Sequence, residues 1–200
     1  NNIVEIDFSN FDTSSVNNMN EMFEGCTNLV SINFGEKFIT SSVTSMEKMF
    51  EACQSLVSLD LSKFNTEKVT NMNATFAECY SLESLDLSGL DTANVENFAY
   101  TFYFCSSLTS LNLNNVKTSS CSTFDNMFYR CYNLESLDVS GFITSEVTNF
   151  NYMFKDCQTL KVLDLRSFDT RKAKDFSDIF SGCYSLTSID VSSFVTSKAI

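Results

Sequence analysis

Two hundred residues with 44% apolar content can bury a core, so neither disulfides nor a metal is needed to staple the chain. His, Trp and Pro are absent, which removes the usual general base, zinc ligand and neutral-pH switch and excludes a Ser-His-Asp triad. A net charge of −12 opposes nucleic acid and anionic membrane surfaces, and no apolar run approaches the roughly 20 residues that span a bilayer.

In chain order, Asn1-Asn2-Ile3 carries no initiator Met and no signal-like stretch, so any targeting segment is expected to have been removed or to lie outside this piece. Ile3 to Ile6 reads as a strand entering the fold. Thr13 comes next, in a turn, where its hydroxyl is expected to satisfy local backbone groups. Val16 is an inward residue on an extended approach, and Asn18 caps the next segment by accepting from its free N–H groups. Met19, Met22, Phe23 and Cys26 fall at i, i+3, i+4 and i+7, the apolar stripe of a helix of about two turns. After Leu29 the period returns to two, as in Leu59-Asp60-Leu61, predicting a short half-buried strand.

This unit then repeats. Cys26, Cys53, Cys79, Cys105, Cys131, Cys157 and Cys183 are separated by 27 residues and then by 26 five times, the extra residue lying in Gly35-Glu36-Lys37-Phe38. The Phe column (Phe23, Phe50, Phe76, Phe102, Phe128, Phe154, Phe180), the Leu column beginning at Leu29 and the Thr column beginning at Thr13 are invariant along the chain. A single unit has an apolar face and no partner, so stacked coils must bury one continuous core. The expectation is a single α/β solenoid over residues 1–200, with seven helix-bearing units and eight strands, a parallel sheet on one face and short helices on the other. At the usual strand spacing the sheet would be roughly 34 Å long. Neither end carries a polar capping unit, so the chain reads as a segment of a longer array.

The run Val-x-x-Met-x-x-Met-Phe followed by Cys-x-x-Leu-x-x-Leu-Asp-Leu-Ser, clear from Val43 to Ser62 and, with Arg for Ser, from Val147 to Arg166, resembles the BspA-like leucine-rich repeats. The resemblance covers essentially the whole chain. It implies a non-enzymatic protein-binding or adhesion scaffold, secreted or displayed at a cell surface, and it names no ligand. The alternative is a structural scaffold packing laterally or end to end in a larger assembly.

Among candidate sites, seven of the eight cysteines occupy one interior column and Cys121 fills the Val column, so buried free thiols are expected and no metal or cofactor is implied. The acidic strand column, with Asp60, Asp86, Asp138, Asp164 and Asp190, faces outward where leucine-rich repeats bind. Its repulsion must be offset by bonds from the flanking Ser84, Ser110 and Ser136 columns, by solvent, by calcium or by a basic protein partner. The tyrosines fall outside the inward columns. Tyr100 and Tyr152 share one helical column and Tyr103 and Tyr129 the column three residues on, with Phe104 beside them. The alternatives are rings that merely pack on each other and a lateral contact patch for a partner or another copy of the chain. The one glycosylation sequon, Asn73-Ala74-Thr75, is expected to be accessible.

Overall fold

The computed structural model describes residues 2–199. Its coils stack in register about a core made from the repeated columns. Phe23, Phe50, Phe76, Phe102, Phe128, Phe154 and Phe180 form a column of near-parallel rings with centroids 5.2 to 6.1 Å apart, so Phe102 lies between Phe76 and Phe128. The Leu column is buried from Leu29 to Leu160, and the Val column from Val43 to Ala173.

One wall of the coil carries the strands. β1 (Glu5–Asp7) pairs in parallel with β2 (Ser31–Asn33), and β3 (Ser84–Asp86) with β4 (Ser110–Asn112), each residue matched to its equivalent in the next coil. Further along, the wall holds only the single bridges Ser136↔Val162 and Leu163↔Ile189. Among the described residues the eight expected strands are therefore four, because a strand of three residues has so few ladder bonds that slight misalignment leaves a bridge or none.

The opposite wall corrects the sequence reading more deeply: among the described residues it contains no helix. The stretch from Met19 to Cys26 and its equivalents is a chain of turns. Two residues per coil are left-handed, at Glu21, Lys48, Ala74, Tyr100, Asn126, Tyr152 and Asp178, and again four residues on, at Gly25, Ala52, Glu78, Phe104, Arg130, Asp156 and Gly182. The turns close within the coil, with the N–H groups of Met22, Glu24 and Cys26 donating to the carbonyls of Met19, Glu21 and Phe23. The alternate N–H groups of Met19, Glu21, Phe23 and Gly25 cross to the next coil, donating to Ser45, Glu47, Met49 and Glu51. Both sets of backbone donors are thereby satisfied.

Spacing explains why turns displace the helix. An α-helix with its side chains is about 10 Å or more across, whereas ladder-bonded chains sit about 4.8 Å apart. Here a parallel ladder passes without a break through Asn18, Ser45, Asn71, Asn97, Thr123, Asn149 and Asp175. We number the coils 1 to 7 by these ladder residues. The apolar spacing is satisfied by either conformation, except that Met22 is 37% exposed where a helix would have buried it.

The polar columns hold the coils together. The expected cap residues do accept the N–H two residues on, as Asn18 does from Asn20 at 2.8 Å and Asn71 from Asn73 at 2.9 Å, but they close turns. The Thr column bonds between coils and not locally: Thr118 Oγ1 donates to the carbonyl of Ile143 at 2.9 Å and accepts its N–H at 2.8 Å. Thr40, Thr92 and Thr144 repeat this pair with Asn65, Lys117 and Asp169. Each such hydroxyl satisfies a donor and an acceptor on the neighbouring coil, which accounts for an invariant buried polar residue.

Candidate functional site

The turn wall gathers the aromatic residues singled out from sequence. Because position three after each ladder residue is left-handed, its side chain turns outward beside position six, and rings on successive coils meet. Tyr100 lies 5.5 Å from Tyr103 between centroids, Tyr103 5.3 Å from Tyr129, and Tyr129 6.2 Å from Tyr152. Phe104 lies 5.7 Å from Tyr103. The five residues thus form one connected surface, on a wall of turns and not on a helical face. Tyr100 is exposed and the other four are half-buried.

Sequence reasoning missed four members. Phe104 sits between Tyr80 and Tyr132, at 5.5 and 5.9 Å. The Arg130 guanidinium lies over both Phe104 and Tyr129, at 4.8 and 4.9 Å, while Lys155 lies 4.6 Å from the Tyr152 ring. Both cations are also ion-paired, Arg130 with Asp156 at 3.5 Å and Lys155 with Asp178 at 2.6 Å. The signal that could have found Tyr80 and Tyr132 is their shared column, nine residues after the ladder residue.

Burial in this patch shifts its acids. Desolvation, joined by a hydrogen bond to Glu78 at 2.9 Å, pushes the Tyr80 hydroxyl up to about 12. Desolvation also raises Tyr100, Tyr103 and the Asp125 carboxyl, the last opposed by Asn126 Nδ2 at 2.7 Å.

On the strand wall the acidic column has a different geometry. Asp60, Asp86, Asp138 and Asp190 each accept the backbone N–H of the serine two residues on, at 2.8 to 2.9 Å. The donors are Ser62, Ser88, Ser140 and Ser192, not the flanking Ser84, Ser110 and Ser136 columns. The hydroxyls of the same serines, together with these backbone bonds, hold all four carboxyls below the usual range, the hydroxyl being the larger cause at Asp86, Asp138 and Asp190 and the backbone bond at Asp60. Asp164 is bound instead by Arg166, in a two-point pair that lowers it to about 2. Among the described residues no group of three or more acidic or thiol side chains is placed to hold a metal ion.

None of the eight cysteines is joined in a disulfide, and all but the half-buried Cys183 are buried. Cys79 donates to the carbonyl of Phe50 at 3.2 Å and Cys105 to that of Phe76 at 3.1 Å, a pattern that repeats through the stack. Burial pushes Cys105 and Cys121 up to about 12, so these thiols are poor nucleophiles at neutral pH. The sequon is occupied by the fold: Asn73 Nδ2 donates to the carbonyl of Ala99 at 3.0 Å, and the Thr75 hydroxyl is buried against Met46 and Met72. This corrects its expected accessibility. No helix among the described residues is long and apolar enough to cross a membrane.

No curated protein matches the chain. Among solved structures it is similar to a leucine-rich cell-surface protein of Faecalibacterium prausnitzii (18% identity, TM-score 0.37, 94% of this chain and 59% of that one). A leucine-rich-repeat protein of Bacteroides ovatus gives 19% identity and a TM-score of 0.31, covering 94% of this chain and 60% of that one. An internalin of Listeria monocytogenes gives 14% identity and a TM-score of 0.29, covering 86% and 55%. The chain spans less than two thirds of each of these structures. The family described as "Mycoplasma protein of unknown function, DUF285" matches residues 1–111, 30–136 and 97–200, and the chain therefore belongs to that family.

Proposed function

We propose that the chain is a non-enzymatic protein-binding repeat domain, displayed at a cell surface or secreted, that makes its contacts through the aromatic patch of the turn wall. The observation that carries this is the break in an otherwise uniform stack. Core columns stay constant, while the outward positions change from Glu21, Glu24, Lys48 and Glu51 in the first two coils to connected rings in the central ones. Half-buried aromatics around an arginine have the composition of interface hot spots. A reading as an enzyme is disfavoured by chemistry: seven of the eight thiols are buried, the strand-wall carboxyls are tied to backbone N–H groups, and the chain has no His. The resemblance of the repeat pattern to BspA-like surface proteins supports adhesion, with the acidic column as a second contact for a basic partner.

The test joins location to contact. Antibody against this chain should label intact source cells, and mild external proteolysis should remove the label. The isolated domain should bind host-cell monolayers, with a folded Tyr103→Ser, Tyr129→Ser variant binding at least about 10-fold less. Unlabelled cells together with equal binding by the variant would overturn the proposal.

A further inference from the structure

We propose that Arg130 anchors the partner on the aromatic patch by taking a carboxylate, an Asp or Glu side chain on an exposed segment of the partner protein that also carries apolar residues. The inference rests on reading the patch as a contact surface and names the chemistry of what it contacts.

Three arginines occur in the chain, and two of them use their hydrogen bonds within it. Arg166 holds Asp164 and Arg171 holds Asp169, each donating from Nε and Nη2 at 2.6 to 3.2 Å. Arg130 differs. Its Nε lies 3.5 Å from Asp156, well beyond the length of about 2.7–2.9 Å for a charge-assisted bond, and that Nε is buried without a hydrogen-bond partner. Its two Nη groups are not among the buried polar atoms, and the side chain is 36% exposed. Asp156 therefore balances the charge of Arg130 and leaves its outer N–H edge open.

The rings hold that edge in place. The guanidinium lies over Phe104 and Tyr129 at 4.8 and 4.9 Å, with Tyr132 5.9 Å from Phe104 and Tyr103 5.3 Å from Tyr129. A guanidinium that meets rings through its flat face keeps its N–H groups in the plane, where a second group can accept from them. The other cation of the patch has no such capacity: Lys155, 4.6 Å from the Tyr152 ring, already donates to Asp178 at 2.6 Å.

Charge selects the occupant. Every member of the patch stands at position three, six, seven or nine after a ladder residue, and at those positions of coils 3 to 6 the charged residues are Glu78, Arg130, Lys155 and Asp156, which balance. The same positions of coils 1 and 2 carry Glu21, Glu24 and Glu51 against Lys48 alone. In a chain of net charge −12, the aromatic coils are thus a stretch where an anionic group meets no net repulsion. A carboxylate fits there in shape and charge, since its planar pair of oxygens accepts two parallel bonds from the Nη groups. A phosphate would bring a second negative charge toward Asp156. Apolar residues flanking the carboxylate would cover the half-buried rings of Tyr103, Phe104, Tyr129 and Tyr132.

The experiment selects a displayed library of random peptides on the purified wild-type chain. The geometry requires the enriched sequences to carry Asp or Glu beside an aromatic or aliphatic residue. An enriched peptide is then synthesised in its acid form and with the matching amide, and calorimetric titration should show the acid form binding at least about 10-fold tighter. On Arg130→Gln, checked for wild-type melting, the two forms should bind alike. Arg130→Lys keeps the charge without the fork and should retain only part of the preference, and it carries the comparison should Arg130→Gln melt early. No enrichment, enriched peptides without acids, or a full acid preference in these variants overturns the inference. Host-cell binding separates this failure from that of the reading beneath it. Loss in Tyr103→Ser, Tyr129→Ser with none in Arg130→Gln would keep the patch and remove the carboxylate anchor, whereas unchanged binding in both would overturn the patch and the anchor with it.

Discussion

The strand wall and the turn wall bound the same coils but join them differently. On the strand wall, β1–β2 and β3–β4 pair through three residues each, and elsewhere the coils meet there at single bridges or not at all. On the turn wall an unbroken ladder runs from Asn18 to Asp175, and the N–H groups of Met19, Glu21, Phe23 and Gly25 all cross to the next coil. The wall that looks irregular carries the greater share of the inter-coil backbone bonding. Its conformation has a cost, since a left-handed non-glycine residue loses about 1 kcal/mol or more. The second ladder and the Phe stack beneath it offset that cost.

The largest expected effect breaks the turn wall from inside. Phe102→Ala removes a ring stacked 5.7 Å from Phe76 and 5.6 Å from Phe128, and is expected to lower the unfolding free energy by about 3–5 kcal/mol in denaturant titrations. Next comes Thr118→Val, which keeps volume but leaves the N–H and carbonyl of Ile143 without their bridge. A loss of about 2 kcal/mol is expected, and a loss below about 0.5 would show that water replaces the hydroxyl.

The strand wall should be easier to perturb harmlessly. Asp164 is held at about 2 by Arg166, below the unfolded-state value of about 3.9. A depressed carboxyl contributes its stability fully above the unfolded pKa and loses it as pH falls through the folded one. The melting temperature of Asp164→Asn should therefore lie slightly below wild type above about pH 4, and the gap should close by about pH 2. A gap that persists in acid would mean the effect is not ionic.

The legibility of the two walls differed for physical reasons. The core columns were readable because stacking forces identity: Phe23, Cys26, Leu29 and their equivalents are inside where expected, apart from partial exposure in the last coil. The bond from Asn18 to the N–H of Asn20 was also foreseen, but a side chain capping a turn and one capping a helix make the same bond. What could not be read was the backbone sign, since Glu21, Lys48 and Tyr100 occupy left-handed positions without glycine. Gly25, Gly182 and Asn126 in those columns were the faint signal. The patch was half legible for the same reason: the left-handed turn at Phe104 brings it against Tyr80 and Tyr132, contacts that a helical register does not place.

The central claim, that left-handed turns and not helices build this wall, is tested most directly at Glu21, an exposed residue with φ of 58° whose N–H donates to Glu47. Glu21→Gly and Glu21→Val change little except backbone preference. In a helix Gly is worse than Val, losing roughly 0.5 kcal/mol more. In a left-handed turn the order reverses, because Gly adopts positive φ without penalty and a β-branched residue does not. Denaturant unfolding of the two variants is predicted to show Glu21→Gly more stable than Glu21→Val by about 1 kcal/mol or more, and the opposite order would contradict the account.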